Sequence, residues 1–289
     1  MSILGRPNAG KSTLLNALVG ERLAAVTAKE QTTRHRIPGF LTREDVQVVF
    51  LDTPGLLDPS DPLQKAMMES ALGTLEGVDV VYWLVDHDEA SSREQEVLDR
   101  LQAGGPPVLL VLTKTDQVPP AKMDVREGRW RESARWAGVH RISATTGEGL
   151  EDLLAATVER LPEQPFFYPA DELTDLPIRF IAGELVREAC YEELSAEVPY
   201  SVHVAVEEWG EPSTPGDKTV IRAVIYVERE SQKGIVIGEG GSRLKAIGTR
   251  ARRSIEALVG GPVYLTLWVK VQKKWSRREA DLKRFGYRR

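Results

Sequence analysis

GRPNAGKS, Gly5 to Ser12, decides how the N-terminal half folds. Ahead of it Ser2 to Leu4 is a short apolar stub, and behind it Thr13 to Leu18 carries apolar residues at helical spacing, so the order reads strand, glycine-punctuated loop, helix. Gly5, Gly10, Lys11 and Ser12 stand at the spacing of a phosphate-binding loop, whose backbone N–H groups and helix N-terminus together favour an anion. On this reading Gly5, Arg6, Pro7, Asn8, Ala9, Gly10, Lys11, Ser12 and Thr13 surround a nucleotide's phosphates. Lys11 reaches the β- and γ-phosphates and Ser12 offers its hydroxyl to magnesium. An ordinary glycine turn is the alternative, and four fixed positions within the right flanking pattern weigh against it.

The loop says nucleotide, and the following stretches say which. VQVVFLDTPG, Val46 to Gly55, is a buried-type strand running into Asp52, which can hold magnesium through water, then Thr53, Pro54 and Gly55, whose N–H can meet a γ-phosphate. PPVLLVLTKTD, Pro106 to Asp116, is another apolar strand, ending in Thr113, Lys114 and Asp116. A carboxylate at Asp116 accepts from both N1–H and the 2-amino group of guanine, a donor pair that adenine lacks, so the wrong base leaves buried polar groups unpaired. HRISATTGEG, His140 to Gly149, brings Ser143, Ala144 and Thr145 to the guanine carbonyl.

The series GRPNAGKS, TTR, DTPG, TKTD and SAT resembles the translation-factor branch of the P-loop GTPases over about Met1 to Leu161. The resemblance implies an α/β fold: a mostly parallel sheet with helices on both faces and the nucleotide at the carboxyl ends of the strands. It also makes AAVTAKEQTTRHRIPGF, Ala24 to Phe40, a mobile first switch, with Thr33, or else Thr32, as a second hydroxyl ligand of magnesium, and Leu56 to Gln64 an irregular second switch. Three departures stand out. Leu56 occupies the place of the glutamine that orients water in Ras-like enzymes, so Asn8 and a potassium ion are expected to assist slow hydrolysis, with Asn8, Lys11, Thr33 and Gly55 as the catalytic set. Thr113 replaces the usual asparagine, which should weaken affinity while Asp116 keeps selectivity. Ser2 to Leu4 is a shorter first strand than relatives carry, which reads as a start set too far downstream or a trimmed chain.

The charge is unevenly spread. From Glu228 onward 16 lysines and arginines face 6 acids, a net +10, whereas the remainder holds 22 against 37, a net −15. A basic C-terminal quarter on an acidic protein suits a polyanion; a solvated basic face is the alternative. LPEQPFFYPADELTDLP, Leu161 to Pro177, breaks every periodicity and reads as a linker. Beyond it Ile178 to Leu194 has helical spacing, and Val198 to Val206 and Thr219 to Val227 alternate as strands joined by a hairpin through Gly210 to Gly216. KGIVIGEGGSRLKAIGTRARRSIEALVG then gives a helix and PVYLTLWVKV a third strand, so the order is helix, strand, strand, helix, strand. G-x-x-G at Gly238, Glu239, Gly240 and Gly241 is too short to wrap a triphosphate and resembles the loop that clamps single-stranded nucleic acid in KH domains. Lys233, Arg243, Lys245 and Arg250 lie where phosphates would pass, and Ile237 and Ile247 are read as an apolar floor for bases.

GTPase signatures followed by a KH domain of the second topological type resemble the Era family of ribosome-assembly GTPases, as do QTTRHRI (Gln31 to Ile37), DLPIRFIAGELVRE (Asp175 to Glu188), IVIGEGGSRLKAIGTRAR (Ile235 to Arg252) and PVYLTLWVKV (Pro262 to Val271). The resemblance implies a GTPase domain over 1–161, a linker over 162–177, a smaller α+β KH domain over 178–272 and a basic tail over 273–289. It further implies GTP and GDP as ligands, magnesium as cofactor, and binding to the 3′ end of 16S rRNA during 30S subunit assembly. A monomer in the cytoplasm is expected; peripheral association with the inner membrane comes from the family alone. A lone cysteine, Cys190, excludes an internal disulfide, suits a reducing compartment and reads as core. No apolar run approaches a membrane span and no basic leader precedes an apolar stretch, so a soluble, unexported protein is expected. His35 reads as solvent-facing or RNA-adjacent, and Trp83 and Trp268 as strand packing. Trp275, Phe285 and Tyr287 of the tail either stack on RNA or dock on the third strand. Two rivals are a constitutive RNA-binding protein with a structural G domain and a metabolic kinase; Lys114 with Asp116 disfavours the latter.

Overall fold

The computed structural model describes residues 1–212, 214 and 216–288, and the chain divides into two compact units. Met1–Ala24, Thr33–Ser60 and Gln64–Asp175 form the first; Ala25–Thr32, Asp61–Leu63 and the chain from Leu176 onward form the second.

The first unit alternates strand and helix: β1 (Ser2–Gly5), α1 (Lys11–Val19), β2 (Ile37–Arg43), β3 (Val46–Asp52), α2 (Pro62–Gly73), β4 (Val81–Val85), α3 (Ser92–Gln102), β5 (Val108–Leu112), α4 (Pro120–Ser133), β6 (Gly138–Arg141) and α5 (Leu150–Val158). The sheet runs β2-β3-β1-β4-β5-β6, parallel throughout except where β2 pairs antiparallel with β3. Every residue of β4 (VYWLV) and β5 (VLLVL) is buried, Trp83 included, as expected of central parallel strands covered on both faces. Because β1 lies between β3 and β4, the chain reverses its order of addition there, which opens a crevice at the strands' carboxyl ends.

Two boundaries differ from the sequence reading. The first switch does not stay irregular to Phe40: β2 begins at Ile37, and Ile37 and Phe40 are buried. Pro38 and Gly39 disguise that strand, and the proline is tolerated because β2 is an edge. The second switch ends in a helix, α2 starting at Pro62.

Leu161 to Pro177 has no helix or strand, yet it is no free tether. Leu173 O accepts from Phe40 N at 2.8 Å, Thr174 Oγ1 donates to Pro38 O at 2.6 Å, and Gln47 bonds the backbone of Phe167 and Tyr168 at 2.8 to 3.0 Å. Tyr168 stacks on Phe40 with ring centroids 3.8 Å apart. The segment thereby covers the open edge of β2, a place where an uncovered strand would invite pairing with another chain.

The second unit comprises α6 (Ile178–Glu193), β7 (His203–Gly210), β8 (Thr219–Val227), α7 (Glu230–Ile237), α8 (Ser242–Val259), β9 (Val263–Val271) and α9 (Glu279–Arg284). Its sheet runs β7-β8-β9, with β8 antiparallel to β7 and parallel to β9. The core gathers Leu185, Ala189 and Cys190 of α6, Ile221, Ala223 and Ile225 of β8, and Ile247, Ala251 and Ile255 of α8. Burial pushes the Cys190 thiol up to about 12, so it is inert packing. Val26 N donates to Glu188 Oε1 at 3.2 Å, and Lys29 Nζ to the carbonyls of Tyr191 and Leu194. These bonds tie Ala25–Thr32 to α6 within this unit.

Here too the sequence reading needs correction. The apolar run before the glycine cluster is a helix of its own, α7, so the order is helix, strand, strand, helix, helix, strand. Val198 begins no strand: Pro199–Ser201 is a single 3₁₀ turn and β7 starts at His203. β7 and β8 pair as a hairpin, although Ser213 and Pro215 of its turn, like Arg289 of the tail, lie outside the described residues. Trp268 is not strand packing, being 46% exposed on β9, and Ile247 is fully buried.

The tail folds back on the sheet. Trp275 is fully buried and its indole N–H donates to Ser201 O at 2.8 Å, while Phe285 stacks on His203 at 3.9 Å and Tyr287 Oη lies 3.0 Å from His203 Nδ1. The docking partners are His203 of β7 and Tyr226 of β8, not the third strand. All three aromatics are spent on packing, which removes them as bases' stacking partners.

Candidate functional site

The crevice above β1 collects the first unit's motifs. Asn8 (φ +64) and Gly10 (φ +91) take left-handed backbone, curling Gly5–Gly10 into a concave loop that opens α1. Lys11 is almost fully buried, with Nζ donating to Arg6 O at 2.7 Å and Gly5 O at 3.1 Å. Burial lowers its ammonium to about 8. Gly55 approaches so closely that a Cβ there would sit 2.5 Å from Pro7 N, which is why only glycine fits after Pro54.

Three oxygens meet beside this loop. Ser12 Oγ donates to Asp52 Oδ2 at 2.6 Å, Thr33 Oγ1 lies 2.6 Å from Ser12 Oγ, and Thr33 Oγ1 is 3.4 Å from Asp52 Oδ2. Asp52 is fully buried, and burial pushes its carboxyl up to about 6 against the opposing pull of Lys11 and Ser12. Its Oδ1 has no hydrogen-bond partner among the described residues. Two hydroxyls and a carboxylate with a spare buried oxygen are the donor set a hard divalent cation takes, so the residues fit magnesium. Thr32 goes elsewhere, its Oγ1 bonding Thr27 Oγ1 at 2.6 Å and Lys29 O at 2.7 Å.

The base-side motifs stand at the ends of β5 and β6. Thr115 N donates to Ile142 O at 3.2 Å, joining the two loops, and Asp116 lies exposed in the 3₁₀ turn Thr115–Gln117. Lys114, in left-handed backbone (φ +59), ion-pairs with Asp86 at 2.6 Å. Ser143 is buried, its Oγ accepting from Thr146 N at 3.2 Å and so shaping the loop that carries Ala144 and Thr145. Thr113 is buried with its hydroxyl on Ala9 O at 2.9 Å, which ties the phosphate loop to the base side.

Some residues of the motifs serve the fold. Thr53 Oγ1 donates to Ile3 O at 2.7 Å, clipping β3 to β1. Arg6 turns its guanidinium to Glu94 at 2.6 Å and to Glu89 O at 2.9 Å, away from the loop's hollow. Leu56 is 4% exposed in the core with Met68, Val81 and Trp83, so it has no access to an attacking water. His35 is half-buried rather than solvent-facing. Sequence reasoning missed Asp86, His87 and Glu94, which brace Lys114 and Arg6; a DHDEA run after an apolar strand was the available signal.

In the second unit Gly238, Gly240 and Gly241 all have positive φ (72°, 56° and 80°) between α7 and α8. A Cβ at Gly240 or Gly241 would meet nothing within 4 Å, so this backbone lies open to a ligand. Glu239, Arg243 and Lys245 are exposed around it and Lys233 is half-buried. Arg243 Nη1 donates to Ile235 O at 3.0 Å, and Arg250 is engaged with Glu193 at 3.0 Å. Ile247 is lost from the expected apolar floor and Ile237 packs partly on the core; Ile235, 39% exposed, is the apolar side chain beside the loop that the sequence reading passed over.

A family model described as a 50S ribosome-binding GTPase matches residues 1–114, and one described as a KH domain matches residues 197–276. GTPase Era of Lactobacillus helveticus (strain DPC 4571) is 42% identical over 287 residues, which cover 99% of this chain and 95% of that protein. A crystal structure of Era in complex with MgGDPNP and nucleotides 1506–1542 of 16S ribosomal RNA is 38% identical with a TM-score of 0.92, covering 99% of this chain and 97% of that one. A variant of Aquifex aeolicus Era bound to GDP and AlF4⁻ matches with the same identity, TM-score and coverage. The partial model names one ribosomal subunit and the rRNA complex belongs to the other; the match that spans both units is to the latter.

Proposed function

The chain belongs to the Era family of GTPases, and from that premise we propose that it is a GTP-hydrolysing switch that binds the 3′ end of 16S rRNA and assists 30S subunit assembly. The observation that carries the switch is the meeting of Ser12 and Thr33 at Asp52 Oδ2, beside a buried Oδ1 that has no hydrogen-bond partner among the described residues. In a G domain kept only as scaffold, that oxygen would cost free energy to no purpose.

Lys11 leaves the carbonyls of Gly5 and Arg6 for the β- and γ-phosphates, and the loop N–H groups orient them. Ser12 and Thr33 hold magnesium directly and Asp52 holds it through water; the ion, once bound, neutralises charge on the phosphates. Asp116 reads the guanine edge, with Ser143, Ala144 and Thr145 against its carbonyl. Since Leu56 is in the core, orientation of the attacking water falls to backbone, Gly55 included; Asn8 would take part in holding potassium, which would supply the charge of an arginine finger.

Thr33 belongs to the first unit and Ala25–Thr32 to the second, where Lys29 is held by Tyr191 and Leu194. Release of Thr33 after loss of the γ-phosphate therefore acts on a segment anchored in the RNA-binding unit. The open glycine turn at Gly238–Gly241 clamps the RNA backbone, with Lys233, Arg243 and Lys245 on its phosphates. The peripheral membrane association of the family is carried to this chain on the resemblance alone; no described helix is long and apolar enough to cross a membrane. The proposed setting is the cytoplasm, as a monomer.

Affinity for the 1506–1542 fragment of 16S rRNA, measured with a GTP analogue and with GDP, tests the switch; equal values leave a constitutive RNA-binding protein. Hydrolysis that is the same in sodium as in potassium, and unaltered by Asn8→Ala, removes the potassium role.

A further inference from the structure

The second unit has a hollow apart from its glycine turn. β8 leaves through Glu228 and Arg229 into α7, β9 ends at Val271, and the tail starts with Lys273 and Lys274; together with Arg277 these segments enclose a cavity of about 360 Å³. Four cations line it against two carboxylates, and one of these, Glu228, is occupied, accepting from Ser276 Oγ at 2.6 Å and Ser276 N at 3.3 Å.

What sets this hollow apart is four basic side chains brought to one cavity, whereas several of the unit's other cations are held by acids. Arg222 is neutralised by Glu208, Arg250 by Glu193, Arg252 by Glu256, Lys270 by Glu207 and Arg288 by Glu279. Arg229, Lys273, Lys274 and Arg277 make no ion pair among the described residues, and all four are exposed. Lys274 stands in left-handed backbone (φ +53), an unfavourable conformation for lysine that turns the chain back beside Val271. The cavity thus offers an apolar contact and aliphatic stems inside, with unneutralised heads at the rim.

We propose that this cavity is a second RNA subsite, taking one nucleotide of the strand held at the Gly238–Gly241 turn. The base lies against Val271 and the stems, an arginine plane stacks on it, and the adjoining phosphates meet Lys273, Lys274 and Arg277. The two sites are joined by α7, whose eight residues span about 12 Å at 1.5 Å per residue. A KH turn holds about four nucleotides, so the strand's continuation along α7 reaches the cavity. The inference rests on the rRNA-binding reading above and adds where the RNA goes next.

The test measures binding of the full-length protein to the 1506–1542 fragment of 16S rRNA and to a series shortened from either end, as a function of salt. The variants are Lys274→Glu/Arg277→Glu and, as a charge-reversal control at the far end of β8, Lys218→Glu, compared also with the single Lys274→Glu, which changes the charge by the same amount. Wild type is expected to lose affinity at one truncation step. The double variant binds the whole fragment at least about tenfold more weakly, is insensitive to that step, and has a salt slope smaller by about 1.4, two single-strand phosphate contacts' worth. Lys218→Glu behaves as wild type. Arg277→Met, which keeps an apolar stem, shows the same loss to a smaller degree and guards against misfolding of the double variant. A double variant equal to wild type, or one that weakens every RNA length alike, overturns the subsite and leaves the rRNA reading standing. Wild-type protein that binds none of these RNAs overturns both.

Discussion

Thr113 stands where asparagine is usual, and its hydroxyl does a definite job. Oγ1 is buried, 2.9 Å from Ala9 O and 3.3 Å from Val85 O, and its single proton best serves Ala9. Thr113→Val keeps the shape and removes the donor, leaving the carbonyl of a fully buried residue unpaired. Such a loss costs about 1–3 kcal/mol. At roughly 2–4 °C per kcal/mol for a unit of this size, nucleotide-free protein should melt about 2–12 °C lower. Because the released carbonyl belongs to the phosphate loop, GDP affinity should fall as well, by roughly tenfold for every 1.4 kcal/mol that the bound state needs to re-form the loop. Thr113→Ser, which retains the hydroxyl, should recover most of both. Thermal unfolding and titration with a fluorescent GDP analogue read the two effects. Wild-type melting together with wild-type affinity in Thr113→Val would refute the tie between loop and base side.

Asp116→Asn removes a charged acceptor of two hydrogen bonds, so guanine nucleotide affinity should fall by roughly two orders of magnitude. Xanthine nucleotides, which present a carbonyl in place of the 2-amino group, should gain, and a competition titration reads the exchange. His87 sits with Nε2 3.1 Å from Glu94 and Nδ1 3.4 Å from Asp86. Burial would lower its pKa, but the Asp86 and Glu94 carboxylates, accepting from the imidazolium, outweigh burial and raise it. Its contribution to stability is then complete below the unfolded value of about 6.5 and fades as pH rises through the higher folded value. Melting should fall over that window in wild type and stay flatter in His87→Gln. Trp275→Ala should cost about 3–5 kcal/mol in denaturant unfolding, whereas Trp268→Ala should change stability by about 0.5 kcal/mol or less.

What the sequence made legible follows from local chemistry. Fixed spacings between strand, loop and helix identified the phosphate loop, because few residues tolerate a left-handed turn beside an anion. Apolar runs such as VYWLV and VLLVL announced central strands since burial on both faces leaves no alternation to confuse. β2 escaped notice because its alternation is interrupted by Pro38 and Gly39, and its place at an edge is known only once the sheet is assembled. α7 was hidden by IVI, a β-like run that is helical here through its position between β8 and the glycine turn. Ile247 and Trp268 had opposite fates from the ones expected, since which face of α8 or β9 meets the core depends on packing partners far away in sequence. The brace of Asp86, His87, Glu94 and Arg6 joins residues up to 88 positions apart, and no local pattern encodes such a pairing.

The two glycine turns differ in what surrounds them, and that difference accounts for their ligands better than their glycines do. The first closes over Lys11 and Asp52, both nearly or fully buried, so charges act there in a medium of low polarity and a small anion gains much from few contacts. Burial there lowers the Lys11 ammonium to about 8 and raises the Asp52 carboxyl to about 6, so each charged form gains from an opposite charge placed beside it. The second turn has open backbone at Gly240 and Gly241 and exposed cations at Arg243 and Lys245, where solvent weakens each interaction. Useful affinity in that setting comes only from many contacts laid along a chain, which is the property of a polymer and requires further anchoring points beyond the turn itself. A protein built this way should release its nucleotide slowly at any salt but its RNA readily as salt rises.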